Sequence, residues 1–317
     1  MSAETATAVK VQEQLKGNSF SLIHFIAYFD VFEFPLTETE LINCCGRNTD
    51  KIVFEEELNY LITLKKIQKT DEFFHLPGRE NNIGKRKENE LRAAKFISKV
   101  PVWVRLIARF PFVRSVCISG SLSKGTMHKK GDVDFFIITE PGKLWICRTL
   151  LILFKKIFLF NSKKYFCVNY FLDTQNLEVP DKNIFTATEI VFLLPASGMK
   201  YYEEFMKSNQ WVKEFYPDFV HPYSIPVHNR KPLFRFITEM LLNNKSGEKL
   251  DNYFMQITLK RWKKKFSHFR EEDFEVAMRT RKNVSKHHPN HFQEKIMAKY
   301  LSNLGECGSV DGKSNFK

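Results

Sequence analysis

None of the six cysteines (Cys44, Cys45, Cys117, Cys147, Cys167 and Cys307) stands in a C-x-x-C pair. That absence argues against a zinc ribbon or a dithiol centre, and because most of the six lie in apolar runs they read as reduced thiols acting as small hydrophobes. Met1–Gly17 has scattered charge and no apolar core, which is the pattern of neither a signal peptide nor a membrane span. The expectation is a chain of the reducing cytoplasm. Nor is there a long unbroken apolar run: the most hydrophobic stretch, Leu144–Phe160, is interrupted by Arg148, Lys155 and Lys156. It reads as a buried or amphipathic helix, and no transmembrane segment is expected. Acidic residues are in deficit, 36 against 49 Lys and Arg, leaving a formal charge of +13. An anionic partner follows, although charge alone does not choose among nucleotide, nucleic acid and acidic membrane.

What is present suits a folded chain. Apolar residues make up 43% and phenylalanine occurs 31 times, far more core-forming bulk than a disordered chain carries. A length of 317 residues allows two or three units of roughly 100–150 residues each. Residues 19–80 read as a winged-helix-like unit. A helix over Ser21–Phe32 comes first, then a second opening on Thr37-Glu38-Thr39-Glu40, a capping box, and ending near Gly46. The third, Val53–Lys66, packs through Leu58, Leu61, Ile62 and Leu64, and a hairpin follows around Asp71-Glu72. Glu55-Glu56-Glu57 lies where such a unit would meet DNA, so DNA binding is disfavoured against a packing or protein-binding role. Residues 81–110 read as a connecting helix interrupted at Pro101, with Leu91, Ala94, Phe96, Ile97, Val100 and Leu106 available for packing.

The chemistry is concentrated further on. Val113–Ser119 is a β-branched-rich run that ends in Gly120-Ser121, and after a loop through His128, Lys129 and Lys130 a second strand begins Asp132-Val133-Asp134. Alternation along a strand puts Asp132 and Asp134 on one face and Val133 on the other. Two adjacent carboxylates repel unless a cation lies between them, and hard oxygen ligands suit Mg²⁺ or Mn²⁺ carried on a triphosphate. Gly120 allows backbone amides close to a phosphate, Ser121 adds a hydroxyl at a helix start, and Lys124 or Lys129 supplies positive charge.

This segment resembles the nucleotidyltransferase domain of the DNA polymerase beta superfamily, whose signature is an apolar strand, Gly-Ser, a spacer, then Asp-apolar-Asp-apolar. Here the pattern is Gly120, Ser121, ten intervening residues, then Asp132, Val133, Asp134 and Phe135. With the N-terminal unit and with Trp145 and Arg148 downstream, the layout is similar to bacterial nucleotidyltransferase-domain proteins. The resemblance implies a third acidic residue on a neighbouring strand, which completes the metal site and helps deprotonate an acceptor hydroxyl. On the candidate strand Tyr165–Asp173 the equivalent position by alternation is Asn169, an amide; Asp173 shares its parity but lies about 13 Å further on. A carboxamide does not act as a general base.

The remaining segments carry weaker signals. Trp211, Phe215, Tyr216 and Pro217 form an aromatic cluster suited to packing. Lys260–Lys265, a basic run around Trp262, reads either as a nucleic-acid contact or as a solvated helix face with Trp262 turned inward. His287, His288 and His291 surround Pro289, a poor setting for a helical ligand pair. The expected architecture is α+β: a small mixed-sheet nucleotidyltransferase-like core over 111–195, a helical C-terminal region over 196–304 and a disordered tail over 305–317. The expected activity is Mg²⁺- or Mn²⁺-dependent transfer of a nucleoside monophosphate from a triphosphate, ATP or another, to an acceptor hydroxyl on a small molecule, RNA or protein. The site residues are Asp132 and Asp134 for metal and catalysis, Gly120, Ser121 and Lys124 for nucleotide, and Asn169 or Asp173 as third position. The competing reading is a catalytically weak or inactive regulator that binds nucleotide or nucleic acid.

Overall fold

The computed structural model describes residues 21–46, 50–221, 225, 227, 232–287 and 292–307. Met1–Gly17, Ser19, Lys231, His288, Pro289, Asn290, His291 and residues 308–317, on which parts of the sequence reading fall, lie outside the described residues.

The N-terminal part runs helix α1 (Leu22–Asp30), strand β1 (Leu36–Thr37), helices α2 (Glu38–Cys45) and α3 (Lys51–Thr63), then hairpin β2 (Gln68–Thr70) and β3 (Phe73–His75). The three strands form an antiparallel sheet in the order β1-β3-β2. The capping box at Thr37 is formed: the Glu40 amide donates to the Thr37 hydroxyl at 3.3 Å, and Glu40 accepts from the Thr37 amide at 2.8 Å. Glu57 turns inward and accepts from the Leu22 amide at 2.8 Å, capping α1, so of the three consecutive carboxylates only Glu55 and Glu56 face solvent. Leu64, expected in the apolar face of α3, is instead exposed beyond its C-terminus.

Every residue of α1 except His24 is buried, as suits a helix apolar on all sides. It is covered by the last helix, Phe292–Glu306, where Tyr28 and Tyr300 meet edge to face at 5.7 Å and Asn303 donates to the Ala27 carbonyl at 2.9 Å. This helix passes Leu304, and Cys307 beyond it is buried. The tail expected from residue 305 therefore begins too early, because Asn303 and Cys307 are both committed to the core.

The connecting segment is two helices, α4 (Asn81–Ile97) and α5 (Val100–Ala108), with Pro101 in the first turn of α5, where its missing N–H costs nothing. Leu91 and Ala94 face solvent, contrary to the packing expected of them; α4 docks through Ile83, Arg86, Asn89 and Ala93.

Beyond α5 lies a six-stranded mixed sheet. Its strands are β4 (Val113–Ser119), β5 (Asp134–Thr139), β6 (Cys167–Asp173), β7 (Leu194–Ser197) and the hairpin β8 (Thr280–Arg281) and β9 (Val284–Lys286), in the order β7-β4-β5-β6-β9-β8. Only β5 and β6 pair in parallel; a short helix α6 (Gly120–Ser123) precedes β5, and α7 (Leu144–Phe158) makes the crossover to β6. Along β5, Phe135 and Ile137 enter one core while Phe136 and Ile138 enter the other, which is why the strand reads as a continuous apolar run. The first core is closed by α5 and by Leu144, Trp145, Cys147 and Leu151 of α7; the second is shared with α1, with α8 (Ile184–Val191) and with the last helix. Four helices complete the fold: α9 (Met199–Ser208), α10 (Leu233–Leu242), α11 (Lys245–Lys265) and α12 (Glu271–Ala277), before the hairpin and the last helix, α13. The architecture is α+β. No helix among the described residues is long and apolar enough to cross a membrane.

Candidate active site

The site forms where β4 ends beside the start of β5. Ser119 and Asp134 are register partners, so Gly120, the next residue, is set against the Asp134 side chain. Gly120 adopts φ +69°, and a Cβ placed on it would lie 2.7 Å from Asp134 Oδ2. Glycine is required twice over here, for the left-handed backbone and for the close approach. The chain then turns through α6, where Ser123 Oγ donates to the Gly120 carbonyl at 2.9 Å.

Asp132 lies in the loop just before β5, and Val133 is fully buried, its amide donating to the Lys164 carbonyl at 3.1 Å. With Val133 fixed in the core, the flanking Asp132 and Asp134 emerge together on the opposite side. Cys167, the parallel-strand partner of Asp134, joins them: the two carboxylates and this thiol offer ligand atoms all within 4.8 Å of one another. Burial first, and then the two neighbouring carboxylates, push the Cys167 thiol up from its ordinary range. The carboxyl of Asp134 is pushed up to about 7, first by burial and then by repulsion from Asp132, with Lys124 acting in the opposite direction. Such a pair is under electrostatic stress that a bound cation relieves. The donor set therefore fits a divalent metal.

Asn169 occupies a β-bulge in β6. Phe135 pairs with Val168 and Phe136 with Tyr170, leaving Asn169 as the extra residue. Its amide nitrogen donates to Asp134 Oδ1 at 3.0 Å, so it touches the site as a donor. Asp173 is not brought there. It pairs with Thr139 at the far end of the parallel ladder, is buried, and accepts from the Gln175 amide at 3.0 Å and from Asn176 at 3.1 Å, capping the turn that follows.

Lys124 reaches back over the glycine turn, donating to the Gly120 carbonyl at 3.2 Å and pairing with Glu189 of α8 at 2.9 Å. A cavity of about 550 Å³ opens over these groups. Ser121, Lys124, Asp132, Asp134 and Asn169 line one part of it, while Phe29, Phe32 and Phe34, together with Phe185, His287 and Phe292, wall another. The N-terminal part thus contributes directly to the walls of the site.

Sequence reasoning missed Cys167, Glu189 and these phenylalanines. Glu189 had a signal, as the one charged residue of the helix Ile184–Val191. Cys167 had none short of knowing the strand register. His128, in the loop before Asp132, is exposed and hydrogen-bonds Asn89 at 3.3 Å. Arg148 is buried between Trp145 and Trp262, 5.6 and 4.8 Å from their ring centroids, so it is no phosphate contact. Trp262 is turned inward and does not offer a face for base stacking, although Lys260, Arg261, Lys263, Lys264 and Lys265 around it are exposed.

Searches of the curated proteins and of the solved structures returned no match to the chain. A family model does match: residues 102–238, which hold Gly120, Ser121, Lys124, Asp132, Asp134, Cys167, Asn169 and Glu189, correspond to the nucleotidyltransferase domain, and the match supports nucleotidyl transfer as the general class of activity.

Proposed function

We propose that the chain transfers a nucleoside monophosphate from a nucleoside triphosphate to an acceptor hydroxyl in a reaction dependent on Mg²⁺ or a similar divalent cation. The observation that carries this reading is the joining of Asp132 and Asp134 beside the Cβ-free face of Gly120, on the wall of one cavity and inside the matched segment. When bound, the cation would offset charge on the phosphates and on the oxygens entering and leaving phosphorus. Asp132 and Asp134 hold it. Gly120 and Ser121 approach the phosphates, and Lys124, fixed by Glu189, stands at the same turn. The acceptor oxygen forms its bond to the α-phosphorus as the bond to the bridging oxygen breaks, releasing pyrophosphate and a proton.

A cavity walled by Phe29 of α1, by Phe32 and Phe34 beyond it and by Phe292 of α13 is suited to a small acceptor better than to a duplex. The N-terminal part, read as winged-helix-like, accordingly serves as a wall, and exposed Glu55 and Glu56 oppose its use as a DNA reader. One observation favours the alternative of a non-catalytic nucleotide-binding regulator: Asn169 gives Asp134 a hydrogen-bond donor, where the resemblance implies an acid able to take a proton.

Calorimetry with a non-hydrolysable triphosphate and Mn²⁺ tests the shared part of both readings. Wild type is expected to bind in the micromolar range, with Asp132→Ala weakening binding about 100-fold, roughly 2.7 kcal/mol. Binding that ignores Asp132 would remove the site from both.

A further inference from the structure

We infer that Cys167 is the third protein ligand of the cation held by Asp132 and Asp134, so that this site takes thiophilic divalent cations such as Zn²⁺, Cd²⁺ and Co²⁺ in preference to Mg²⁺. This deepens the metal-site reading above and rests on it. In a parallel ladder, register partners project to the same side of the sheet, and Cys167 is the register partner of Asp134. Its sulfur is not directed into the apolar interior like a packing cysteine. It meets both carboxylates, and among the described residues this trio is the group whose ligand atoms converge to within 4.8 Å.

The chemistry of the set is unlike an all-oxygen magnesium site. Mg²⁺ demands near-octahedral oxygen ligation and sheds water reluctantly, whereas a thiolate with two carboxylates matches the softer, four-coordinate cations. Around Zn²⁺, with oxygens at about 2.0–2.2 Å and sulfur at about 2.3 Å, ligand atoms sit roughly 3.5 Å apart. Closing from the present spacing to that value takes small side-chain rotations. All three residues line the cavity, so a cation held by them would be accessible to a further ligand from the cavity, as in an open rather than a closed structural site. Asn169, donating to Asp134 Oδ1, orients that carboxylate and leaves its other oxygen beside Gly120. The thiol gives up its proton to solvent as the metal–sulfur bond forms, without any oxidant or reductant.

The test is a Co²⁺ titration of the metal-free full-length protein, following the near-ultraviolet thiolate-to-cobalt absorption band, which reports sulfur ligation without reference to activity. Wild type is expected to give a band saturating at one equivalent, displaced by equimolar Cd²⁺ or Zn²⁺ and unmoved by a large excess of Mg²⁺. Cys167→Ser, checked for native circular dichroism, is expected to lose the band and to bind Zn²⁺ weaker by about 100-fold or more, while Mn²⁺ binding through the aspartates persists. A band that survives in Cys167→Ser assigns the sulfur elsewhere and overturns the inference. No band in wild type, with Mn²⁺ still bound in an Asp132-dependent way, overturns it too but leaves the proposed function standing. No binding of either cation by wild type overturns both.

Discussion

Replacing Asp134 by Asn is expected to reduce nucleotidyl transfer by about 10³-fold while making the metal-free protein more stable at pH 8. The two effects share one cause. Burial and the neighbouring Asp132 raise the Asp134 carboxyl from 3.8 to about 7 in the folded chain. The folded state therefore holds a proton that the unfolded state has released, and between about pH 4 and pH 7 this group's contribution to stability falls as pH rises. Above about pH 7 the folded protein carries the full cost of the ionised pair. Asparagine removes the charge and keeps an oxygen to accept from Asn169. With allowance for partial exposure of the carboxylate, the gain at pH 8 is about 1–3 kcal/mol, or a few degrees in Tm. It should shrink steadily toward pH 4. Thermal denaturation of both proteins across this range, with chelator present, checks the sign: a stability loss in Asp134→Asn at pH 8 would mean that the carboxylate is held by favourable contacts and is not under stress.

Gly120→Ala carries the second large effect. The added methyl meets Asp134 Oδ2 at 2.7 Å on a backbone at φ +69°. The left-handed conformation costs an L-residue about 1–2 kcal/mol, and the carboxylate must also move. A shift of about 1 Å in a group that positions reactants lowers rate by about 10²-fold. Gly78 provides the control, since it has φ +73° with nothing within 4 Å of its would-be Cβ. Gly78→Ala should show a similar backbone cost with transfer unchanged. Comparison of Tm and transfer rate for the two variants separates strain from site geometry; equal transfer rates would show that contact with Asp134 is unimportant.

Much of this site was legible in sequence because its constraints are local. The glycine turn and the alternating aspartates are fixed by a few consecutive residues, and the capping box at Thr37 is another arrangement closed within one helical turn. What escaped depends on pairing between distant segments. Cys167 becomes significant only through register with Asp134, and the bulge at Asn169 follows from a ladder that sequence does not display. The hairpin β8–β9 is too short and too charged for a period-two pattern to show; it is specified by pairing with β6. Helix α10 defeats pattern reading differently. Arg235 and Glu239 face inward, Arg235 donating to the Ala108 and Val113 carbonyls and Glu239 pairing with Arg114, while Leu233, Phe234 and Phe236 are exposed. There the charged side is the packed side.

Nucleotidyl transfer is read by incubating the purified protein with α-labelled nucleoside triphosphates, Mg²⁺ or Mn²⁺ and a cell extract as acceptor source, beside Asp132→Ala/Asp134→Ala. Label is expected to pass to an acceptor with wild type and not above background with the double variant. Transfer that is equal in both, or absent from wild type with every triphosphate and cation, would rule out a nucleotidyl transfer centred on Asp132 and Asp134.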